Sequence, residues 1–555
     1  MASENPRLNH TNYPEDRRLA AWVRPRLLLT LAALALIPFL VAWGQYLVSG
    51  LPQIAVTTAA QMETRAIPHG FPGWLRVTHY VNFLFLILLI RSGLSILADH
   101  PRLYRNHDCT PGAEWARFTP LAVPKDSLWT AKDDARYLSP WIGLPGYRHT
   151  IGVARHWHLM SVLFWVTNGL IYVALLFVSG HWSRLVPTSW ATFPNAWAVF
   201  VHYATLHLPP EPNGFFSYNA MQQLAYFAVV FLMAPLSLLT GLAMSPAFDN
   251  RFKWYPRLFG GRQAARSLHF LLMVGFSGFI VVHVSLVVKT GFARNMNHIV
   301  RGVDTGDPSG LILGAIGIAV VVAACVAAFW LSWNKPRALQ IAAKRTVGAL
   351  TLRLIDPMEP MAEYTRSEIS PRFWPNGKMP TSEEWRALAE DDFRDYRLRV
   401  YGLVENPVEL SLQEIMAMDK QQHTTLHHCI QGWSGVAEWG GLSLAKLIDL
   451  VRPTSEAKVL VFHSFGEGLY GGEYYETHSM ENALHPQSIL AYEMNYQPLD
   501  AVYGAPLRLR VENQLGYKMV KWIKTIEFVK SETEAGKGYG GKNEDDEYFD
   551  LVANI

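Results

Sequence analysis

Six apolar runs, at residues 27–49, 77–98, 158–179, 221–244, 267–289 and 311–333, each supply the roughly 20 residues that a helix needs to cross a bilayer. In lipid every backbone N–H and C=O must be satisfied within the segment, so this half of the chain is committed to a helical bundle. A composition of 50% hydrophobic and only 17% charged residues agrees. The first run, "RLLLTLAALALIPFLVAWGQYLV", is too long, and too poorly followed by a small-residue cleavage site, to be a removable signal; it reads as a retained helix. The net charge of +3 is small and its basic residues are dispersed, so nothing points to a nucleic-acid partner.

Beyond residue 334 the pattern changes. The basic segment "NKPRALQIAAKRT" is followed, from about 395, by short β-like runs, "YRLRVYGLV", "KVLVFHSF", "PLRLRV" and "IKTIEFV", separated by turn-rich stretches. A second, β-rich domain is expected there. Between the two, "ISPRFWPNGKMPTSEEW" is rich in Pro and polar residues and reads as a linker or an arm laid over that domain.

Basic residues near the helix ends predict orientation. Arg17, Arg18, Arg24 and Arg26, then Arg251, Lys253, Arg257, Arg262 and Arg266, then Lys335, Arg337, Lys344 and Arg345 belong on the inner side. The 180–220 and 50–75 loops, with only Arg184 and Arg65, belong outside. Six spans then leave the β-rich domain in the cytoplasm, on the inner membrane of a bacterium. A twin-arginine export signal at Arg17 and Arg18 is the competing reading, and the following "LAAWVRP" fits it poorly.

Ionisable residues inside membrane helices are costly and point to function. His269 and His283 lie 14 residues apart on one predicted helix, about 21 Å along it and within roughly 40° of the same face. Two sites stacked across the membrane are implied. Neutral imidazole is a good axial ligand for haem iron, and a six-coordinate b-type haem takes two. Helix direction puts His79 level with His283 near the outer surface, and His158 level with His269 near the inner one. Any one of the four alone would read as a hydrogen-bonded core histidine; four at matching depths argue otherwise. His156 points nearly opposite to His158 and is the fallback ligand. His149, His181, His202 and His207 are expected at the surface. Gly93, Gly169 and Gly241 would let a flat macrocycle approach a helix, or serve as helix-packing glycines.

These histidines sit in "LRVTHYVNFLFLILLIRSGL", "RHWHLMSVLFW", "LSLLTGLAM" and "LHFLLMVGFSGFIVVHVSLVVKTGFARNMNHIVRG". Over residues 70 to 305 the sequence resembles the di-haem cytochrome b subunits of formate dehydrogenase, nickel-iron hydrogenase and thiosulfate reductase. The resemblance implies two b haems that exchange electrons with quinone or quinol. The extra first helix departs from the formate dehydrogenase arrangement and inverts the bundle.

Three cysteines, Cys109, Cys325 and Cys429, are too few and too far apart for a disulfide framework, and no C-x-x-C pair occurs. Cys429, in "LHHCIQGWSG", stands among His423, His427 and His428 without a recognised zinc spacing. A single thiolate can anchor a metal whose other ligands come from a cofactor, or the residue can be a buried structural cysteine.

Downstream, "ALHPQSILAYEMNYQPLDAVYGAPLRLRVENQLGYKMVKWIKTIEFV", together with "YRLRVYGLVENPVELSLQEI" and "HHCIQGWSGVAEWGGLSLAKLI", resembles the molybdopterin-binding domain of the sulfite oxidase family over about 370–530. The resemblance makes Cys429 the catalytic thiolate ligand of molybdenum. It places Arg508, Gly516, Tyr517 and Lys518 at the pterin phosphate, where a guanidinium, an ammonium and backbone N–H groups suit an anion. Ser464 and Asn376 align with pterin-contacting positions, and Tyr503 stands where the family has His or Asn. Sulfite oxidases proper follow the cysteine with arginines; "CIQGWSG" is neutral and resembles the "CVEAWS" type of the methionine-sulfoxide-reducing branch.

The expected fold class is therefore a membrane all-α bundle of six helices fused to an α+β, β-rich molybdopterin domain. Expected bounds are 1–340 for the membrane domain, 341–395 for the linker and arm, 396–530 for the molybdopterin domain and 531–555 for an acidic tail, "NEDDEYFD" being solvated and disordered. The expected function is quinol-linked reduction of an S-oxide or N-oxide through Mo-molybdopterin and two b haems. The alternatives are oxidation of a sulfur compound with electrons passed to quinone, or a non-catalytic redox-sensing module. The expected partners are lipid, quinone, a small oxo donor or acceptor and, left open, a second copy of the chain.

Overall fold

The computed structural model describes residues 21–54, 68–106, 108–124, 127–146, 151–209, 214–355, 358, 363–549 and 554–555. Arg17, Arg18, Arg65, His149 and Asp550, used above, lie outside them. Six helices are long and apolar enough to cross a membrane: α1 (Pro25–Ser49), α2 (Gly73–Asp99), α3 (Ile151–Val178), α4 (Ala220–Met244), α5 (Arg262–Lys289) and α6 (Ser309–Asn334). The molecule is a multi-pass membrane protein. Their side chains are largely exposed, as Leu28, Leu34, Val281 and Ile312 illustrate, because lipid replaces water as the apolar surround. One turn of α4, Ala228–Met233, is π-helical. It lies between Tyr226 and Thr240, which face two different histidines.

The β-rich half has two five-stranded sheets. One is built from β3 (Lys420–His428), β4 (Ser434–Ser443), β7 (Ile489–Met494), β8 (Gln497–Pro498) and β9 (Arg508–Arg510), with β4 between β3 and β7. The other runs in the order β2 (Val408–Ser411), β1 (Arg397–Gly402), β10 (Ile523–Val529), β5 (Val459–Glu467) and β6 (Glu473–Ser479), with only β1 and β10 parallel. Alternation sets the faces: Leu398 and Val400 of β1 are buried while Arg397 and Arg399 point out. They join Leu442, Phe462, Leu490, Ile526 and Phe528 in the main core. Each such side chain contributes about 1.5–3 kcal/mol through burial.

The two halves share a core. The connection between α2 and α3 folds over the β-rich half, so that Tyr104, Cys109, Trp129 and Ala131 pack with Phe373, Trp374, Cys429, Trp433 and Trp439. Arg102 rigidifies this connection through a bidentate bond to Asp134 (2.8 and 2.8 Å) and another to Glu114 (2.9 Å). The 369–385 segment lies over the domain, with Trp374 and Trp385 buried and Ser370 bonded to the Val436 carbonyl at 3.0 Å.

The acidic tail corrects the expectation of a solvated end. Asn543, Glu544, Asp545, Glu547 and Phe549 are buried. Carbonyls of Glu544 and Asp545 accept from Arg337 (2.8 and 2.6 Å), and that of Phe549 accepts from Gln340 (2.5 Å). A charge run reads as solvated only when no partner is in reach, and the helix after α6 brings one. His181 and His202, expected at the surface, are likewise buried, His202 donating to the Pro52 carbonyl at 3.0 Å.

Candidate functional site

Cys429 opens the five-residue connection between antiparallel β3 and β4, whose pairing ends at His428 and Ser434. Cys429 N–H donates to the Trp433 carbonyl (3.1 Å), and Gly432 N–H donates back to the Cys429 carbonyl (3.0 Å). Gly432 has φ +103°, which closes this turn at little steric cost. From outside, Arg262 and Gln263 in the first turn of α5 donate to the Gly432 carbonyl at 3.1 and 3.0 Å.

The thiol faces a cavity of about 130 Å³, roughly ten times the space a single water needs. Asn376, Tyr503, Arg508, Gly516 and Tyr517 line it together with Cys429, as do Gln431 and Lys521. Phe373, Trp374 and Trp433 supply an aromatic wall, and Ile151 at the start of α3 closes one side. Gly516 is required here because a Cβ would run into the His427 ring.

The cavity is electropositive. Arg508 packs between the Tyr503 carbonyl, 3.0 Å from its Nη1, and the Trp439 ring, which Arg510 covers as well. Arg510 is bidentate to Glu512 (2.8 and 2.8 Å), whereas no carboxylate among the described residues bonds Arg508 or Lys521. Burial, then the charge of Arg510, pushes the Arg508 guanidinium well below its ordinary value; burial, then Arg508, does the same to Lys521. Arg508 Nε and Trp433 Nε1 are buried without an acceptor among the described residues. Buried cations and orphaned donors around one thiol fit an anionic, metal-bearing cofactor. Burial raises the Cys429 thiol to about 12, and a coordinated metal would deprotonate it outright.

Two carried-over residues stand away from the cavity. Ser464 Oγ donates to the Lys521 carbonyl (2.6 Å) and accepts from Gly466 N–H (2.9 Å), so it positions the wall behind Lys521. Lys518 Nζ turns from the cavity into a buried cluster with Glu476 (2.9 Å), Glu544 (2.8 Å) and the Gly540 carbonyl (2.7 Å). Two carboxylates satisfy that ammonium where a phosphate was expected. Tyr503 reaches the cavity, but its hydroxyl donates to the Phe373 carbonyl at 2.9 Å. Lys521 and Gln431 were missed; a lysine three residues after "GYK" was the available signal for the first.

In the bundle, the His79 and His283 ring centres are 6.4 Å apart, and those of His158 and His269 are 6.3 Å apart. Two metal–nitrogen bonds of about 2.0–2.1 Å, each extended by roughly 1.1 Å from nitrogen to ring centre, come to about 6.3 Å. Each pair can therefore hold one iron between its rings. Ser92 Oγ donates to the Leu88 carbonyl (2.7 Å) and so accepts from His158 Nδ1 (3.1 Å). Thr240 Oγ1 donates to the Leu236 carbonyl (2.8 Å) and accepts from His269 Nδ1 (3.0 Å). With the proton held on Nδ1, both rings present the Nε2 lone pair to a metal. Neither hydroxyl was singled out from the sequence. Gly93 leaves space beside His158 and Gly241 beside His269, whereas Gly169 has no such neighbour. His156 is turned away, donating to the Tyr548 carbonyl at 2.7 Å.

Residues 70–302 match the family model of prokaryotic cytochrome b561, and residues 386–536 that of the oxidoreductase molybdopterin binding domain. A protein of Azospira oryzae named YedZ1, provisionally described as a protein-methionine-sulfoxide reductase subunit, is 32% identical over 31% of this chain and 62% of its own. Protein-methionine-sulfoxide reductase catalytic subunits MsrP of Campylobacter jejuni and Xanthomonas campestris are each 31% identical, over 26% and 25% of this chain and 52% and 46% of their own. The chain thus spans about half to three-fifths of the length of these relatives. The solved sulfane dehydrogenase SoxCD of Paracoccus pantotrophus aligns over 25% of this chain and 39% of its own at 22% identity and TM-score 0.23, which bears on neither fold nor chemistry.

Proposed function

For an oxidoreductase that joins a prokaryotic cytochrome b561 domain to a sulfite-oxidase-type molybdopterin-binding domain, which together imply haem b and Mo-molybdopterin, we propose quinol-linked reduction of a sulfoxide, with methionine sulfoxide as the test substrate. The observation that carries this reading is the shared wall: Ile151 lines the Cys429 cavity, and His158 lies seven residues further along the same helix, about 10.5 Å by its rise. The helix that carries His158 thus also contributes to the wall of the Cys429 cavity, which supports electron transfer between the two proposed centres. The names of the MsrP relatives and the neutral "CIQGWSG" loop favour the sulfoxide over sulfite.

Two haems are assigned, one between His79 and His283 and one between His158 and His269. Cys429 would ligate the molybdenum, and Arg508, Lys521 and the backbone at Gly516 and Tyr517 would hold the pterin and its phosphate. When bound, the cofactor supplies the two-electron oxygen-atom step, in which sulfoxide, two electrons and two protons become sulfide and water. The protein's own part is to hold the thiolate dry and to place cations where the anionic cofactor sits. The aromatic wall of Phe373, Trp374 and Trp433 offers an apolar surface to a thioether product. The basic flanks of the helices favour an inner-membrane protein with this cavity on the cytoplasmic side.

The test uses purified full-length protein with dithionite-reduced haems. Adding methionine sulfoxide reoxidises them, and Cys429→Ser abolishes both the reoxidation and the bound molybdenum. Haems that stay reduced with methionine sulfoxide but respond to an N-oxide would reject the sulfoxide; a Cys429→Ser protein that keeps metal and activity would reject the site. His269→Ala or His283→Ala each remove about one of two haems from the reduced-minus-oxidised spectrum. A spectrum unchanged in both variants sinks the haem assignment.

A further inference from the structure

We propose that Gln431 is a positioning residue that ties the Cys429 thiolate to the membrane half and forms the coupling route between the two redox centres; this rests on the reading above. Gln431 is 2% exposed and its amide is fully engaged. Oε1 accepts from Asn376 Nδ2 at 3.1 Å, and the same Asn376 amide donates to Cys429 Sγ at 3.7 Å, a contact that a thiolate, with no S–H of its own to give, keeps. The two Nε2 hydrogens go to the membrane half, to the carbonyls of Asp99 and Ala131, both at 3.3 Å.

Asp99 ends α2, and Ser92, two turns back on that helix, holds His158 Nδ1 at 3.1 Å. A series of covalent and hydrogen bonds therefore runs from the Cys429 sulfur through the amides of Asn376 and Gln431, the Asp99 carbonyl, α2 and the Ser92 hydroxyl to the imidazole. Electronic coupling decays less along such bonds than across a van der Waals gap.

The residue type follows from the same geometry. In the "CVEAWS" type that this loop resembles, the corresponding position is Glu. A carboxylate there would set an acceptor-only group against two carbonyl oxygens, whereas an amide offers two donors on one side and an acceptor on the other. Gln at 431 is what a fused haem domain with those two carbonyls requires. In each transfer one ferrous haem becomes ferric as the molybdenum centre gains one electron; two transfers supply the oxygen-atom step.

The test needs no substrate. A photogenerated flavin radical injects electrons into the haems of the fully loaded full-length protein, and haem absorbance reports their passage to the molybdenum centre. Gln431→Glu keeps the acceptor toward Asn376 and loses the donors toward Asp99 and Ala131; it slows the haem reoxidation phase by about tenfold or more, as a misplaced contact can. Ser92→Ala interrupts the same route at its far end, away from the cavity, and slows the phase in the same direction. Molybdenum content and haem spectra confirm that both variants are loaded. Wild-type rates in both variants overturn the proposal. A wild type without an internal phase, whose haems methionine sulfoxide still reoxidises, also overturns it while leaving the function standing. An internal phase that depends on Gln431, in a protein that ignores methionine sulfoxide, rejects the substrate and keeps the bridge.

Discussion

Lys518 and Lys521 lie three residues apart, the first buried and the second half-buried, and their surroundings are opposite. Lys518 is held by Glu476 and Glu544, and those two carboxylates raise its ammonium above the usual value against the effect of burial. Among the described residues the Lys521 ammonium bonds the Val502 carbonyl, at 2.8 Å, and lies over the Trp522 ring, with the Arg508 charge nearby and no carboxylate in reach. One cation is neutralised within the protein; the other has no carboxylate partner among the described residues. The contrast teaches that a basic motif resembling a phosphate site marks a neighbourhood, and that carboxylates elsewhere in the chain decide which member faces the ligand.

The largest expected effect comes from breaking the completed side. Lys518→Met strands two buried carboxylates and costs about 3–5 kcal/mol. Thermal unfolding of the cofactor-free protein reads this as a lowered Tm, and a Tm equal to wild type would erase the contrast. Next, if Lys521 holds the cofactor as proposed, Lys521→Met would remove a charge-assisted bond, about 1.5–3 kcal/mol or roughly ten- to hundredfold in retention. Molybdenum content after dialysis falls, while cofactor-free stability holds or rises; a fall in both would make Lys521 a structural cation like Lys518.

The smallest effect is in pH. Lys521 sheds its proton in the folded state below its ordinary 10.5, where the unfolded chain still holds it. The unfolded state binds more protons in that window, so Lys521 makes the cofactor-free protein more stable as pH rises toward 10.5. Lys521→Met removes that increment. The wild-type-minus-variant difference in unfolding free energy should climb toward alkaline pH, and a flat difference would contradict an ammonium that, among the described residues, has no carboxylate partner.

The histidine pairing was legible in advance because a membrane helix has a fixed rise and rotation per residue and lipid limits how far it can tilt. Depth along the chain then becomes depth in space, and His79 meets His283 as His158 meets His269. Ser92 and Thr240 were not legible, since hydroxyls on a membrane helix ordinarily bond their own backbone, as these two also do. The basic flanks were legible as charge but not as contacts: Arg262 and Arg337 bond carbonyls of the β-rich half.

Sequence alone determined the two-part architecture, the six spans, the histidine depths and the cysteine around which a metal site could form, because length, periodicity and residue chemistry are local properties. Tertiary structure decided the rest. It set which lysine faces the cavity, packed the acidic tail, and gave Gln431 its two carbonyl partners 332 and 300 residues away. Those outcomes depend on which groups are brought within about 3 Å of one another, the reach of a hydrogen bond, and no local pattern encodes that.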